Sequence, residues 1–259
     1  MAKRKISYKA SPTAAKFHAS KKVVKGYRGP VGSGKTVACI KELHKLAMEQ
    51  WPNKDGIRKS RWAIIRNTLP ELRTTTLNTF QQWIPEQICP ITYHPIISGT
   101  IGHKLEDGTT VEAEVIFLAL DTPKDVRKLL SLEVTGVFIN EAREISFSVV
   151  KAARERIGRY PSRIDGYESE GDYVGPEVPC RYKVVLMDTN PPDDLHWWYQ
   201  LAEDGYLEGT QEEEKERATS DTERVFDFFA SPPPLIKRGT EYVETVSYTH
   251  LTLPTIYPV

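Results

Sequence analysis

Cysteine is scarce in this sequence, neither sign of charge is in excess, and no long apolar run occurs. The three cysteines, Cys39, Cys89 and Cys180, are far apart and odd in number. They fit neither a zinc spacing nor a disulfide framework, so a reducing cytoplasm is the expected setting. The 35 basic side chains are balanced by 35 acidic ones. No global field therefore directs the chain to nucleic acid, although a local basic patch is compatible with DNA contact. Nothing approaches the ~20 apolar residues that cross a bilayer, so no membrane partner is expected. The basic start, MAKRKISYK, leads into no apolar segment and is not a secretory signal; it reads as a solvated tail or a phosphate-touching arm. What is present is 259 residues, 39% hydrophobic and 27% charged. That composition suits a globular domain able to bury a core, with room for an appendage.

Strand-like and helix-like segments alternate along the chain. KVVKGYR (Lys22–Arg28) predicts a strand running into a glycine-rich turn. Lys35–Trp51 predicts a helix with Val37, Ile40, Leu43 and Ala47 on one face. RWAIIR (Arg61–Arg66) reads as a short buried strand, and Leu69–Trp83 as a helix with Pro70 in its first turn. Residues 97–120 predict a hairpin about Asp107-Gly108, a favoured two-residue turn. Pro123 opens a helix towards Leu130, and Gly136–Ile139 is a strand. Ile145, Val149, Ala153 and Ile157 recur four apart on a further helix, and Tyr160–Pro179 is a polar loop. Arg181–Met187 is another strand, and Pro192 begins a helix carrying Trp197, Trp198 and Tyr199. The alternation predicts an α/β fold, a mainly parallel sheet with helices on both faces plus a β-hairpin insertion.

Residues 1–205 make up the expected domain, and 206–245 a lid or linker that opens with the charged GTQEEEKERATSDTER. Within the latter, FDFFASPPPLI predicts an extended segment laid against the domain. VSYTHLTLPT (Val246–Thr255) is similar to one reading frame of a DNA-sequencing library adapter. Residues 246–259 are therefore set aside as an artefactual tail, and the chain is expected to be the front part of a longer protein.

GPVGSGKT (Gly29–Thr36) fits the pattern G-x-x-x-x-G-K-[ST]. Gly29 and Gly34 allow a tight turn and close approach to an anion, and Gly32 adds backbone freedom. With Pro30, Val31 and Ser33 they form a loop whose amides, continued by the helix N-terminus, face a β-phosphate. Lys35 places a cation on the β and γ oxygens, and Thr36 offers a hydroxyl to magnesium. The loop follows a predicted strand and opens a predicted helix, which separates a phosphate site from a chance glycine turn.

The strand Gly136–Ile139 stops at Asn140-Glu141. Glu141 is placed to act as general base beyond the sheet edge. Asn140 stands where a magnesium-handling aspartate is usual. Its amide oxygen accepts from a metal-bound water but carries no charge, so the metal would lean more on Thr36 and the phosphates. Taken alone, the pair reads as a cap for the next segment; the upstream loop reverses that preference. MDTNPP brings Asp188, Thr189 and Asn190 to another strand end, as γ-phosphate sensors or as a helix N-cap. Arg127, in TPKDVRKLL, either stabilises charge on a transferring phosphoryl group, in its own subunit or a neighbour's, or is an exposed helix arginine.

In this order, GPVGSGKT, RWAIIRNTLPELRTTTLNTF, DTPKDVRKLLSLEVTGVFINEAREI, IGRYPSR and MDTNPPDDLHWWY resemble the ATPase domain of the large terminase subunit of tailed bacteriophages, over most of residues 10–205. The resemblance implies a P-loop NTPase (RecA-like) fold and an ATP- and Mg2+-dependent motor that packages double-stranded DNA into preformed capsids. It implies that Lys35 and Thr36 bind ATP and magnesium, and that Glu141 is catalytic. Asn190, with Thr189, would couple hydrolysis to movement, and Arg127 would reach a neighbouring subunit's ATP in a homo-oligomeric ring. It further implies a portal protein and a small terminase subunit as partners. The implied location is the cytoplasm of the infected bacterial host and, transiently, the procapsid. Two departures stand out: Asn140 for the more general aspartate, and Lys128 where a glycine often follows the arginine. Full-length members carry a C-terminal nuclease domain for which this chain has no room. Lys and Arg residues of KAARERIGRYPSR (151–163) are candidate DNA contacts, or a solvated basic face. Two rivals stay open. One is another P-loop DNA-dependent ATPase, such as a helicase or repair enzyme; the other is a nucleotide-binding regulator that does not hydrolyse.

Overall fold

The apolar strand segments pair side by side in the computed structural model, which describes residues 7–120, 123–205, 225–232, 235–238 and 241–244. In chain order the strands are β1 (Val24–Arg28), β2 (Ile57–Arg66), β3 (Ile91–Thr92), β4 (Ser98–Lys104), β5 (Thr110–Ala119), β6 (Gly136–Ile139), β7 (Val184–Thr189) and β8 (Phe226–Ala230). They form one sheet in the order β3-β4-β5-β2-β6-β7-β1-β8. From β5 to β8 the neighbours are parallel, and β4 and β3 add an antiparallel edge. The mainly parallel sheet and its hairpin are thus as the alternation predicts. A separate antiparallel pair joins β9 (Leu235–Arg238) and β10 (Glu241–Glu244).

Helices cover both faces because side chains alternate along each strand. One face packs Phe138 and Leu186 with Phe17 of α1 (Pro12–Ala19), Leu43 of α2 (Lys35–Met48) and Phe80 of a later helix. The other packs Val137, Ile139 and Val185 with Leu129, Val149, Val150 and Trp198 from later helices. Buried on both sides, β6 and β7 read as continuous apolar runs rather than alternating ones. Behind the phosphate loop, α2 is tied to β1 by a buried ion pair, Lys25 Nζ to Glu42 Oε1 at 2.5 Å. His18 Nδ1 meets the same carboxylate at 2.7 Å.

Several predicted elements differ in extent. The helix after the phosphate loop ends at Met48, short of Trp51. The stretch predicted as one helix over Leu69–Trp83 is helical throughout but not uniform. α3 (Leu69–Glu71) passes into a π-helical turn (Leu72–Thr76) and then α4 (Leu77–Trp83). α5 (Pro123–Leu130) lies where expected, and α6 (Phe147–Arg156) is shorter than the Ile145–Ile157 repeat, whose two end residues are extended. The helix expected from Pro192 starts only at α7 (Trp197–Tyr199). A turn precedes it, closed by His196 N–H donating to the Asp193 carbonyl at 3.1 Å, and the His196 ring then accepts from Trp198 N–H as an N-cap. The segment FDFFA, expected to lie against the domain, is β8, paired in parallel with β1 from Val24↔Phe226 to Arg28↔Ala230. The charged stretch 206–224, the proposed tail 246–259 and the first six residues fall outside the described residues.

Candidate nucleotide site

Three strand ends meet at one sheet edge. In the order β6-β7-β1, the carboxyl termini present Asn140-Glu141, Asp188-Thr189-Asn190 and the loop beginning at Gly29. Ligands bind in such folds at this edge, where loops leave the parallel strands. The loop is anchored to the neighbouring strand by Gly29 N–H donating to the Thr189 carbonyl at 3.1 Å. Gly32 and Gly34 adopt φ of 81° and 80°, the left-handed region that a side chain disfavours. Gly34 is also the N-cap of α2, so the following amides open towards the loop's hollow. Pro30 and Ser33 close a turn at 3.2 Å, and Val31 is exposed at its tip.

Lys35 reaches across this hollow. Its Nζ donates to Asn190 Oδ1 at 2.9 Å and lies 3.8 Å from Glu141 Oε1. Glu141 in turn accepts from Asn190 N–H at 3.2 Å and from Asn190 Nδ2 at 3.3 Å. The predicted cofactor-binding lysine, general base and coupling asparagine therefore form one hydrogen-bonded group. Glu141 has φ 52° and ψ 58°, the one left-handed non-glycine residue described. That conformation costs roughly 1–2 kcal/mol and aims the carboxylate from the end of β6 at Lys35.

The segment after Glu141 is held from outside. Arg143 N–H donates to Thr189 Oγ1 at 3.3 Å, His196 Nε2 meets the Arg143 carbonyl at 2.9 Å, and Trp197 Nε1 donates to the Ile145 carbonyl at 2.9 Å. The DDLHWWY stretch thus braces the turn that follows Glu141.

Asp188 is the residue that sequence reasoning placed only loosely. It is fully buried on β7. Thr36 Oγ1 donates to its Oδ2, and Oδ1 accepts from Asn140 Nδ2 at 2.8 Å and from Glu141 N–H at 2.9 Å. Burial pushes its carboxyl above the usual range, partly opposed by the Thr36 hydrogen bond. Asn140, expected at the metal, spends its amide on Asp188 and accepts from Thr76 Oγ1 at 2.6 Å through its carbonyl. Thr76 was also missed. It lies on the π-helical turn, and the β-branched run Thr74–Thr76 inside a helix was the only sequence hint.

The residues fit a magnesium–nucleotide. A hydroxyl, a carboxylate and a lysine converge at the glycine loop, while no cluster of three or more His, Cys, Asp or Glu side chains forms among the described residues. Such a set suits a hard cation that takes most of its ligands from phosphate and water.

Arg127 is exposed on α5, and among the described residues no hydrogen bond or ion pair joins it to the loop, Glu141 or Asn190. Of the basic residues of 151–163, Lys151, Arg154, Arg159 and Arg163 are exposed, whereas Arg156 is half-buried with its Nε enclosed. Lys151 lies over the Phe147 ring at 5.2 Å and Arg154 over the Phe226 ring at 5.5 Å. No helix among the described residues is long and apolar enough to cross a membrane.

No protein-family model and no curated protein sequence matches the chain. Solved structures do. The large terminase of a thermophilic bacteriophage superposes with a TM-score of 0.56 at 14% identity, over 86% of this chain and 46% of that one. The chain has the fold of the phage large-terminase ATPase domain. The structure described as the ATPase domain of the Thermus phage P74-26 large terminase superposes at 0.51 and 16% identity, over 87% of this chain and 82% of that one. The first of these terminases, in complex with ATP-gamma-S, gives 0.54 at 14% identity, over 86% of this chain and 45% of that one. The chain thus spans about half the length of that thermophilic-phage terminase. At these identities the likeness concerns the terminase fold alone.

Proposed function

We propose that the chain is an ATP-hydrolysing motor subunit that packages double-stranded DNA into a viral procapsid. The observation that carries this reading is the contact group Lys35–Asn190–Glu141 at the mouth of the phosphate loop. The glycine loop binds the β- and γ-phosphates through its amides, and Lys35 leaves Asn190 for their oxygens. Glu141, relieved of its Lys35 contact and still positioned by Asn190, orients and deprotonates the attacking water. Thr36 would hold magnesium, which when bound neutralises charge developing between the β and γ oxygens. Asn190, bonded to both Lys35 and Glu141, senses whether the γ-phosphate is present. It follows directly on Thr189, which contacts Arg143, so loss of phosphate is passed to the DDLHWWY brace.

Arg127, exposed and outside its own site, suits a role in a neighbouring subunit's site within a ring. The exposed basic residues of 151–163 are the proposed DNA contact, made mainly to phosphates and weakened by salt. A portal protein and a small terminase subunit are the proposed protein partners, and the infected host's cytoplasm and the procapsid surface the place of action.

The test is ATP turnover with magnesium for the wild type and for Glu141→Gln. The expected outcome is measurable turnover that falls at least ~100-fold in the variant, while ATP binding stays within a few-fold, the usual size of a lost general base. Binding without turnover in the wild type would favour the regulator reading. Turnover untouched by Glu141→Gln would remove the assigned base.

A further inference from the structure

We infer that Asp188 on β7, not a residue of β6, supplies the negative charge for the magnesium of a bound nucleotide, an assignment that rests on the nucleotide-hydrolysis reading above. P-loop sites hold the ion between the loop's Ser or Thr hydroxyl and an acidic side chain. The β6 end offers only the neutral Asn140 beside the base Glu141. Asp188, by contrast, is the acceptor for the Thr36 hydroxyl.

Topology explains the displacement. β7 lies directly beside β1, whereas β6 is one strand further away. Strand alternation puts Asp188 on the same face as Val184 and Leu186, the face that α2 covers. Thr36 stands in the first turn of that helix. An acid two residues before Asn190 therefore reaches the hydroxyl with no distortion of the strand.

Asn140 is shaped to this acid. Its Nδ2 donates to Asp188 and its Oδ1 accepts from Thr76. The reverse amide orientation would set an oxygen against a carboxylate. An aspartate at 140 would put two carboxylates 2.8 Å apart in a buried site. The amide at 140 and the acid at 188 are thus a matched pair: the charge has moved one strand towards the loop. Asp188 is fully buried, and among the described residues no Lys, Arg or His pairs with it, so a cation is the missing complement.

Because Asp188 also holds the Glu141 amide, loss of activity in a variant would not isolate a metal role. The experiment therefore reads metal binding. Mn2+ affinity is measured by electron paramagnetic resonance with ATP-gamma-S present, and affinity for a fluorescent ATP analogue is measured in EDTA. Wild type, Asp188→Asn, Asn140→Asp and the exchanged pair Asn140→Asp/Asp188→Asn are compared. Asp188→Asn should keep its EDTA nucleotide affinity within about twofold while Mn2+ binding weakens about 10- to 100-fold, as for loss of a metal-orienting partner. The exchanged pair should recover part of that loss.

Undiminished Mn2+ affinity in Asp188→Asn, with nucleotide still bound, overturns the assignment and leaves the nucleotide site standing. Absence of nucleotide binding in the wild type overturns both. If Asp188→Asn does not fold, Asn140→Asp decides. A second carboxylate beside the first should make Mn2+–nucleotide raise its melting temperature more than the wild type's; equal shifts overturn the proposal.

Discussion

Thr76 shows how much of this site depends on single side chains far from it in sequence. Its hydroxyl is buried and donates to Asn140, which in turn fixes Asp188. Thr76→Val keeps the shape but leaves the Asn140 carbonyl without a donor. The expected loss is about 1–3 kcal/mol of stability, read as a lower urea midpoint at unchanged slope. A wild-type midpoint would mean that the Asn140 carbonyl finds another partner. Glu141 and Lys35 were apparent from the sequence because their motifs are local: a lysine after a glycine loop, an acid after an apolar strand. Asp188 was not singled out as strongly, because its meaning depends on which strand lies beside β1, and no single strand states that.

At the scale of elements, the packing of α2 on the hairpin carries a pH signature. His44 of α2 and His103 of β4 meet edge to face, with ring centroids 5.2 Å apart. Burial pushes the His44 imidazole down to about 4, with the neighbouring His103 and Lys41 adding to the effect. Burial lowers His103 as well. An imidazole whose folded pKa lies below its unfolded value is protonated on unfolding. Its contribution is therefore complete above about 6.5, the unfolded value, and is lost as pH falls towards about 4. Thermal melts should show a loss of roughly 1–2 kcal/mol between pH 7 and pH 5 that His44→Phe reduces. An identical pH profile in the variant would place the acid sensitivity elsewhere. The same scale sets the close approach of β6 to β2. A Cβ on Gly136 would stand 2.3 Å from Trp62 Cζ3, so Gly136→Ala should cost about 1–3 kcal/mol or more by overpacking, measurable by chemical denaturation. Neutral behaviour would mean that the Trp62 ring can move aside.

For the whole molecule, the sheet does not stop at residue 205. β8 pairs along all of β1, the strand that feeds the phosphate loop, and Phe228 packs edge to face on buried Trp198 at 5.2 Å. A chain ended at Gly205 would uncover the β1 edge and the Trp198 ring. The expected outcome is a red-shifted tryptophan emission and a melting temperature lower by several degrees, from the loss of a few kcal/mol of aromatic burial. A truncated chain with unchanged emission and melting would show that β8 adds nothing to the domain.

The sequence by itself determined the α/β alternation, the glycine loop between strand and helix, and the chemical identity of Lys35, Thr36, Glu141 and Asn190, because each is written in a contiguous stretch with its own period or spacing. Only the tertiary structure decided the strand order, and with it the neighbours. It set β7 between β6 and β1, brought Thr76 under Asn140 through a π-helical turn, and laid β8 along β1 from the far end of the chain. Parallel pairing joins segments that share no local pattern, so the contacts that bring Asp188 to Thr36 exist only once the sheet has closed.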